Sequence, residues 1–368
     1  MNPSAVVLVL ISDERLRAEV RRVAAAAERI PDERVAPVGR HAWASAGLVV
    51  LDQSAALAVA AGGLPRRAGV VLVTEGEPTV DAWQAATAVG AERVVALPAH
   101  AVALIEQFAV HAEARRGDGA VIAIASAGGG AGASTLAAAT ALRGAALRCR
   151  PETLLVDGAP MSGGIDLVLG AEGVAGLRWP DLVIQDGRVS AASLHKALPA
   201  VGEGLSVLSC GRLSSSEAPG RDAPSSKVGE LSPAAVRAVI ESGRTAGDLV
   251  VCDVSAERTP AADVMLDLAD LVVLVVPARL RSIAAAELCA AHLGARNPNR
   301  GLIVRGPAPG GLKGTEVAAV LGLPLLAAVR GQAGLAARLE RGGVSVRRGG
   351  PLRDAADAVL TMIGGESA

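Results

Sequence analysis

The stretch Val121–Thr135, VIAIASAGGGAGAST, decides the fold of the larger part of this chain. An apolar strand runs into a glycine-rich loop, and the alanine-rich segment that follows has the composition of a helix. Glycines let backbone N–H groups turn around an anion, and the N-terminus of the next helix presents its positive end to that anion. The stretch therefore predicts a phosphate-binding loop, whose residues are Gly129, Gly130, Ala131, Gly132, Ala133, Ser134 and Thr135.

The same loop lacks the charge that a hydrolytic phosphate site uses. A Walker-type loop carries a lysine immediately before its magnesium-binding hydroxyl residue. Here Ala133 stands at the lysine position and Ser134 at the hydroxyl position. Because cations beside the transferred phosphate stabilise the charge that develops there, we expect nucleotide binding through the backbone, with little or no ATP hydrolysis.

Composition excludes several classes of partner. The formal net charge is −1, so the chain as a whole has no field that would draw it to nucleic acid. One Phe, three Trp and no Tyr are too few for a surface that stacks single-stranded bases. The four cysteines show no paired or metal-ligand spacing, and the N-terminus lacks the basic region of a signal peptide. We therefore expect a cytoplasmic protein whose membrane contact is at most peripheral.

Strands and helices alternate along the whole chain, which is typical of α/β folds with parallel sheets. The charged, glycine-bearing segment ARRGDG suggests a first domain at 1–115, a linker at 116–119 and a second domain at 120–365. Apolar segments of the second domain are predicted strands: VIAIA, TLLVD, LSVLS, DLVVCDV, LVVLVVP, GLIVR and LLAAV. A Ser-, Pro- and Gly-rich stretch at about 211–232 predicts a mobile surface loop.

The first domain resembles a response-regulator receiver, which has a flavodoxin-like fold. Asp13 follows the first apolar segment, Asp52 ends a later one, and Thr74 ends the next. In receivers the strand-end Asp accepts a phosphoryl group, and a lysine after the fifth strand pairs with it. Leu97 takes the lysine position here, and Ser12 stands where a first acid is expected. The pattern favours a pseudo-receiver that docks or dimerises, and it leaves open a phosphorelay regulator acting through Asp52.

The second domain resembles the MinD/ParA-type P-loop ATPases. Aligned on Gly132 and Ser134, its loop GGGAGAST is similar to their KGGxGK[ST] signature. Of the two signature lysines, one contacts the nucleotide of the partner subunit and the other lies beside its own nucleotide. Gly128 and Ala133 occupy those positions here. The resemblance implies a homodimer with ATP and Mg²⁺ as cofactors, and a hydrolytic site that is degenerate.

Further functional positions of that family can be placed on this sequence. Asp157 in TLLVD occupies the switch I position and is a weak candidate for a catalytic residue, because Ala159 replaces the acid that would position the attacking water. Asp253 in DLVVCDV occupies the Walker B position. The resemblance implies a Mg²⁺ site formed by Ser134, Asp157 and Asp253. It also implies an adenine contact from Arg305.

Longer segments are similar to the CpaE/TadZ-like proteins, and most closely to an actinobacterial group of septum site-determining, or helicase/secretion-neighbourhood, proteins. The segments are GGAGASTLAAATAL, LLVDGAPMSGGIDLVLGAEG, GLRWPDL, LIVRGPAPGGL, EVAAVLGLPLL and LERGG. The resemblance implies a spatial regulator that places the septum or a Flp-type (Tad) pilus-secretion apparatus. It implies protein partners in that assembly and recruitment to a pole, the septum or the inner face of the membrane. A nucleotide-free scaffold is the alternative from another class.

Overall fold

The computed structural model shows two compact units: the first comprises the described residues before 119 together with 361–364, and the second comprises those of 119–360. The described residues are 7–364 apart from 28, 40–41, 44–45, 63, 65, 68, 114–118, 183, 185–188, 212–229 and 347–348. The predicted linker at 116–119 therefore lies outside the described residues except for its last position. The predicted loop at 211–232 lies outside them from 212 to 229.

The first unit contains a five-stranded parallel sheet in the order β2-β1-β3-β4-β5. Its elements are β1 (Val7–Leu10), α1 (Glu14–Ala26), β2 (Pro31–Glu33), β3 (Leu48–Leu51), α2 (Gln53–Ala61), β4 (Val70–Glu75), α3 (Val80–Val89), β5 (Arg93–Leu97) and α4 (Ala101–Glu113). This strand order is that of flavodoxin-like folds. The receiver-like fold expected from the sequence is therefore confirmed.

Helices cover both faces of this sheet, as the alternate side chains of β1 show. Val7 and Val9 pack in one core with residues of α1 and α4. Leu8 and Leu10 pack in a second core with residues of α2 and α3. Burial on both faces explains why the central strands are unbroken apolar runs rather than alternating ones.

Two elements of the first unit, helix α2 and strand β2, could not be predicted from the sequence. Helix α2 has the sequence QSAALAVAA, which is apolar almost throughout and so lacks the polar–apolar period that reveals a surface helix. Strand β2 has three residues, two of them charged, and it pairs only at the edge of the sheet with β1. Its stability comes from that pairing rather than from its own strand propensity.

The second unit contains a seven-stranded sheet in the order β12-β11-β10-β6-β9-β7-β8, with every neighbouring pair parallel. Its elements are β6 (Ala120–Ser126), α5 (Ala133–Leu147), β7 (Thr153–Gly158), α6 (Ile165–Leu169), a 3₁₀ turn (Trp179–Asp181), α7 (Ala191–Ala197), β8 (Leu205–Leu208), α8 (Pro233–Ala246), β9 (Leu249–Val254), α9 (Pro260–Leu268), β10 (Leu271–Pro277), α10 (Leu280–Arg296), β11 (Arg300–Arg305), α11 (Gly314–Leu321), β12 (Leu325–Val329), α12 (Leu335–Gly342) and α13 (Pro351–Thr361). The strands predicted for this unit are all confirmed.

The sheet brings the glycine-rich loop and two aspartates to one edge. Strand β6, which leads into the loop, lies between β10 and β9 near the middle of the sheet. Asp157 of β7 is directly opposite Asp253 of β9, and Asp253 is opposite Ile124 of β6. Because the carboxyl ends of parallel strands share one edge, this is where an open α/β sheet binds its ligands.

The C-terminal helix α13 packs within the second unit. Ala355, Ala356, Val359 and Leu360 are its buried residues. Asp357 forms an ion pair with Arg143 of α5, with 2.6 Å between Oδ1 and Nε. Among the described helices, none combines the length and the hydrophobicity that crossing a bilayer requires.

Candidate nucleotide site

The loop between β6 and α5 depends on two glycines for its shape. Gly130 and Gly132 have φ angles of 73° and 97°, in the left-handed region that glycine adopts without steric cost. Helix α5 starts at Ala133, and its N-cap residue Gly132 provides no side-chain hydrogen bond to the first turn. The first amides of the helix are therefore left to a ligand or to water.

The loop is open to solvent. Gly128, Gly129 and Gly130 are exposed, and a Cβ placed on any of them would meet no heavy atom within 4 Å. Across the described residues, no backbone carbonyl accepts a hydrogen bond from the amides of Gly128, Gly129, Gly130 or Gly132, and a turn spans Gly129 and Gly130. The loop has not folded in upon itself, so its N–H groups are available to an anion.

A cavity of about 500 Å³ adjoins the loop. Its walls come from the loop and the first turn of α5, from residues at and after the ends of β11 and β12, and from α12 and α13. The lining is mostly glycine and apolar side chains, with a few polar ones: Thr135, Arg305, Arg330 and Gln332. Size, apolar walls and a small number of polar groups are typical of a site for a small organic ligand.

Ser134 and Asp253 form a hydrogen-bonded pair. The hydroxyl of Ser134, in the first turn of α5, donates to the carboxylate of Asp253, which is 3% exposed. Burial raises the pKa of Asp253 to about 7; the charge of Asp157 adds to this rise, and the hydrogen bond from Ser134 opposes it. A buried carboxylate beside a like charge gains from a cation placed next to it.

The pair fits a magnesium ion that arrives with a nucleotide. Hydroxyl and carboxylate oxygens are the ligands that Mg²⁺ prefers, and Ser134 and Asp253 supply one of each. No three His, Cys, Asp or Glu side chains gather as a metal site among the residues that the structure describes. A nucleotide-borne Mg²⁺ needs fewer protein ligands, because water and phosphate oxygens complete its shell.

Asp157 is surrounded by donors of its own chain. Its Oδ1 accepts the amide of Ala159 at 3.0 Å, and its Oδ2 accepts the amides of Ile165 at 2.9 Å and Cys210 at 3.0 Å. The hydroxyl of Ser209 also donates to Oδ2, at 3.3 Å. Burial raises the pKa of Asp157, and the amide hydrogen bonds oppose that rise. Asp157 thus fastens the loop after β7 to the end of β8, and its direct role towards Mg²⁺ or water stays a prediction.

A buried hydrogen-bond network surrounds Asp166, and it was not predicted from the sequence. Ser209 donates to its Oδ1 at 2.9 Å, and Arg178 donates to its Oδ2 at 3.3 Å. The neighbouring Trp179 is 8% exposed, and its indole N–H donates to the carbonyl oxygen of Asp157 at 2.8 Å. Two family-like segments of the sequence contain members of this network, LLVDGAPMSGGIDLVLGAEG with Asp166 and GLRWPDL with Arg178 and Trp179. Its Arg and Trp serve the interior of the unit.

Arg305 reaches the loop from the end of β11. Its Nη2 donates to the carbonyl oxygen of Gly130 at 2.9 Å. Its Nη1 lies 2.8 Å from the point that a Cβ on Gly132 would occupy. The structure therefore brings together the residues predicted for nucleotide binding, Gly129–Thr135 and Arg305, at one edge of the sheet. Their contact with ATP stays a prediction.

The acidic residues of the first unit serve as helix caps. Asp52 is 7% exposed, and its Oδ1 accepts the amide of Ala55 at the start of α2, at 2.7 Å. Its Oδ2 accepts the amides of Ser12 at 2.6 Å and Asp13 at 3.3 Å. Asp13 in turn accepts the amide of Leu16 in α1, at 2.8 Å. These contacts favour the pseudo-receiver interpretation, and phosphorylation of Asp52 stays an untested alternative.

Similar proteins share nearly the whole length of this chain. The protein Rv3660c of Mycobacterium tuberculosis (strain ATCC 25618 / H37Rv) is 43% identical over 363 residues, which cover 96% of this chain and 97% of that protein. The protein MT3760 of Mycobacterium tuberculosis (strain CDC 1551 / Oshkosh) gives the same values. Residues 10–119 match the family described as the Rv3660c-like, CheY-like N-terminal domain.

Solved structures share the fold of the second unit. A ParA family ATPase from Chlorobium tepidum TLS has a TM-score of 0.54 and 18% identity, and the match covers 66% of this chain and 98% of that one. The MinD cell division protein of Aquifex aeolicus has a TM-score of 0.50 and 22% identity, covering 68% of this chain and 98% of that one. Identities this low show the fold alone. This chain belongs to the Rv3660c-like family, with a CheY-like N-terminal domain followed by a MinD/ParA-like α/β domain.

Proposed function

We propose that this chain binds ATP with Mg²⁺ and acts as a spatial regulator of the CpaE/TadZ/MinD type, which places septum or Flp-type (Tad) pilus-secretion machinery. The observation that carries the proposal is the exposed loop, in which the amides of Gly128, Gly129, Gly130 and Gly132 donate to no backbone carbonyl of the described residues. The adjoining cavity of about 500 Å³ has room for a base and sugar. Ser134 and Asp253 would hold the Mg²⁺.

ATP would act here as a ligand that stabilises one conformational state, rather than as a source of free energy through hydrolysis. Gly128 and Ala133 supply no cation to the transferred phosphate, so hydrolysis would be slow or absent. A nucleotide that binds one state more tightly shifts the population towards it. In this proposal the favoured state is a homodimer that presents a surface to protein partners. The cytoplasmic dimer would then be recruited to a pole, the septum or the inner face of the membrane.

Calorimetric titration of the full chain with Mg-ATP tests the nucleotide site. We expect binding that weakens at least about tenfold in Ser134→Ala, because the variant removes a ligand of Mg²⁺ and a hydrogen bond to Asp253. Ser126→Ala is the control, since its hydroxyl also contacts the loop, donating to the carbonyl oxygen of Gly128 at 3.1 Å. Absence of both heat and a thermal shift at millimolar Mg-ATP would contradict the proposal.

A nucleotide-free scaffold is the second candidate. The observation that favours it is the replacement of three functional positions of the P-loop family by Gly128, Ala133 and Ala159. Fluorescence microscopy of tagged chains separates the two candidates. If ATP gates placement, Ser134→Ala should disperse the foci that the wild-type chain forms, whereas a scaffold should keep them.

A further inference from the structure

A positive group lies directly against the glycine-rich loop, and it comes from a distant strand. Arg305 ends β11, which β10 separates from β6 in the sheet. Its Nη2 donates to the carbonyl oxygen of Gly130 at 2.9 Å. Its Nη1 would be 2.8 Å from a Cβ on Gly132, so any residue with a Cβ there would push the guanidinium away. The glycine at 132 thus leaves room for a cation as well as for the left-handed backbone.

Pairing within the described residues does not explain where this guanidinium lies. No carboxylate among them acts on Arg305, and its Nε is buried without a hydrogen-bond partner. Burial lowers the pKa of Arg305, and the charge of Arg279 lowers it further. Removing a guanidinium from water without a counter-charge is unfavourable, and a second arginine nearby makes it more so. The arrangement therefore favours an anion at this point.

We propose that Arg305 contacts the phosphate chain of the bound nucleotide and supplies the positive charge that Gly128 and Ala133 lack. This inference rests on the proposed nucleotide site. Arg305 lines the same cavity as Gly132 and Thr135, which belong to the loop and the first turn of α5. A guanidinium can give two parallel N–H donors to phosphate oxygens, so one arginine can replace a lysine of the loop.

This role differs from the adenine contact that the sequence predicts for Arg305. With the guanidinium held at the loop, the part of the cavity away from the loop is left for the base. Val329, Leu335 and Leu339 give that part apolar walls. Arg330 and Gln332 line the same cavity, and the Oε1 of Gln332 is buried without a hydrogen-bond partner among the described residues. A base is read through donors and acceptors placed for it, so we expect these two side chains rather than Arg305 to contact the base.

Titration of the full chain with two ligands tests the role of Arg305. The ligands are Mg-ATP and Mg-tripolyphosphate, the second being measured by displacement of ATP. Arg305→Gln should weaken both by at least about tenfold, because both lose the same charge-assisted contact. Arg237→Gln is the control, since Arg237 is exposed on α8 and does not line the cavity. It should leave the binding of both ligands unchanged.

Two results would overturn the inference while leaving the nucleotide site intact. One is unchanged affinity of Arg305→Gln for both ligands. The other is a loss confined to ATP, which would make Arg305 a base contact. If the wild-type chain binds no Mg-ATP, the proposed function itself fails and the inference with it.

Melting of the unliganded variants provides the folding control. Arg305→Gln should melt at or above the wild-type temperature, because it removes a half-buried cation that no carboxylate of the described residues pairs with and whose Nε has no hydrogen-bond partner. Should it melt lower, Arg305→Lys decides the question. It keeps the charge without the planar fork, and an affinity between those of the wild type and Arg305→Gln for both ligands supports the proposal. Full loss of ATP binding with tripolyphosphate unaffected opposes it.

Discussion

Asp52 in the first unit and Asp253 in the second both stand at the carboxyl end of a buried parallel strand, and their surroundings differ. The carboxylate of Asp52 accepts three backbone amides, from Ser12, Asp13 and Ala55. Asp253 accepts the hydroxyl of Ser134 and faces the like charge of Asp157, and its pKa is raised to about 7 by burial first of all. The first carboxylate is a completed cap, and the second is a charge that gains from a cation.

An acid at a strand end is therefore not by itself a site. What decides is whether the chain already supplies the donors that the carboxylate needs. Asp157 lies directly opposite Asp253, yet it belongs with Asp52, since four donors of its own chain reach its oxygens. One sheet edge thus holds a carboxylate that donors of its own chain already reach, Asp157, beside the stronger candidate for a Mg²⁺ ligand, Asp253.

Replacing Asp157 and Asp253 in turn gives the sharpest test of this contrast. Asp157→Ala leaves the amides of Ile165 and Cys210 buried without an acceptor, and we expect a loss of about 3–5 kcal/mol in the free energy of unfolding of the second unit. Asp253→Asn removes a buried charge and should leave that free energy equal or higher at pH 7.5. Denaturant unfolding of both variants measures the difference.

The thermal shift produced by Mg-ATP should affect the two variants in the opposite order from the free energy of unfolding, with the larger loss in Asp253→Asn. Asp253→Asn should abolish the thermal shift that Mg-ATP produces, because an amide holds Mg²⁺ more weakly than a carboxylate does. Equal losses of unfolding free energy in the two variants would contradict the contrast between a structural carboxylate and a ligand.

Asp52 provides the second test, in the first unit. Asp52→Ala removes the cap of α2 and should lower the free energy of unfolding of that unit by about 1–2 kcal/mol. Asp52→Asn keeps an oxygen for the amide of Ala55 but turns an NH₂ group towards the amides of Ser12 and Asp13, so it should lose about 0.5–1 kcal/mol. Denaturant unfolding followed in the full chain measures both values.

The same residue decides the phosphorelay alternative. Intact-mass measurement after incubation with acetyl phosphate should show no added phosphoryl group on the wild-type chain. An adduct that disappears in Asp52→Asn would revive a regulator acting through Asp52, and it would show that the three amide contacts open in solution.

The second unit was predictable from sequence wherever the signal is local. Strands of a sheet covered on both faces are continuous apolar runs, which can be recognised in the sequence. The glycine-rich loop is adjacent in sequence to one of these strands, so its place at the strand end could be predicted as well. In the first unit, helix α2 and strand β2 could not be predicted, because neither has a local sequence pattern typical of its structure. One is too uniformly apolar to show a helical period, and the other is too short and polar to read as a strand.

The chemistry of the site was less predictable, because it depends on residues far apart in the chain. Cys210, whose amide fixes Asp157, lies 53 residues away from it. Arg305 contacts Gly130 across 175 residues. Both contacts are set by strand order, which no local pattern reveals. The sequence therefore predicted which residues come to the edge of the sheet, but not that Asp157 is occupied or that Arg305 reaches the loop.

Lysine substitutions at the two loop positions that lack a lysine should change Mg-ATP affinity and stability in different ways. A Cβ at Gly128 meets no heavy atom within 4 Å, so Gly128→Lys should fold like the wild type and bind Mg-ATP about tenfold more tightly. Ala133 is 7% exposed, so Ala133→Lys should lower the free energy of unfolding by about 1–3 kcal/mol. Calorimetric titration and denaturant unfolding of the pair check both effects.

Asp248 adds a third kind of buried carboxylate, one that a histidine satisfies, and its effect should be the smallest. His195 Nε2 lies 2.8 Å from Asp248 Oδ2, and its Nδ1 lies 3.0 Å from the Ser206 hydroxyl. The hydrogen bond to Asp248 raises the pKa of His195 above its usual 6.5, while burial opposes the rise. A raised folded-state pKa gives stability that is complete below pH 6.5 and is lost as the pH rises through the folded-state pKa.

The free energy of unfolding of the second unit should therefore fall by on the order of 1 kcal/mol above pH 6.5. The difference in that free energy between wild type and His195→Gln should decrease over the same pH range. A difference that stays constant from pH 6 to pH 9 would mean that His195 contributes by packing rather than through its charge.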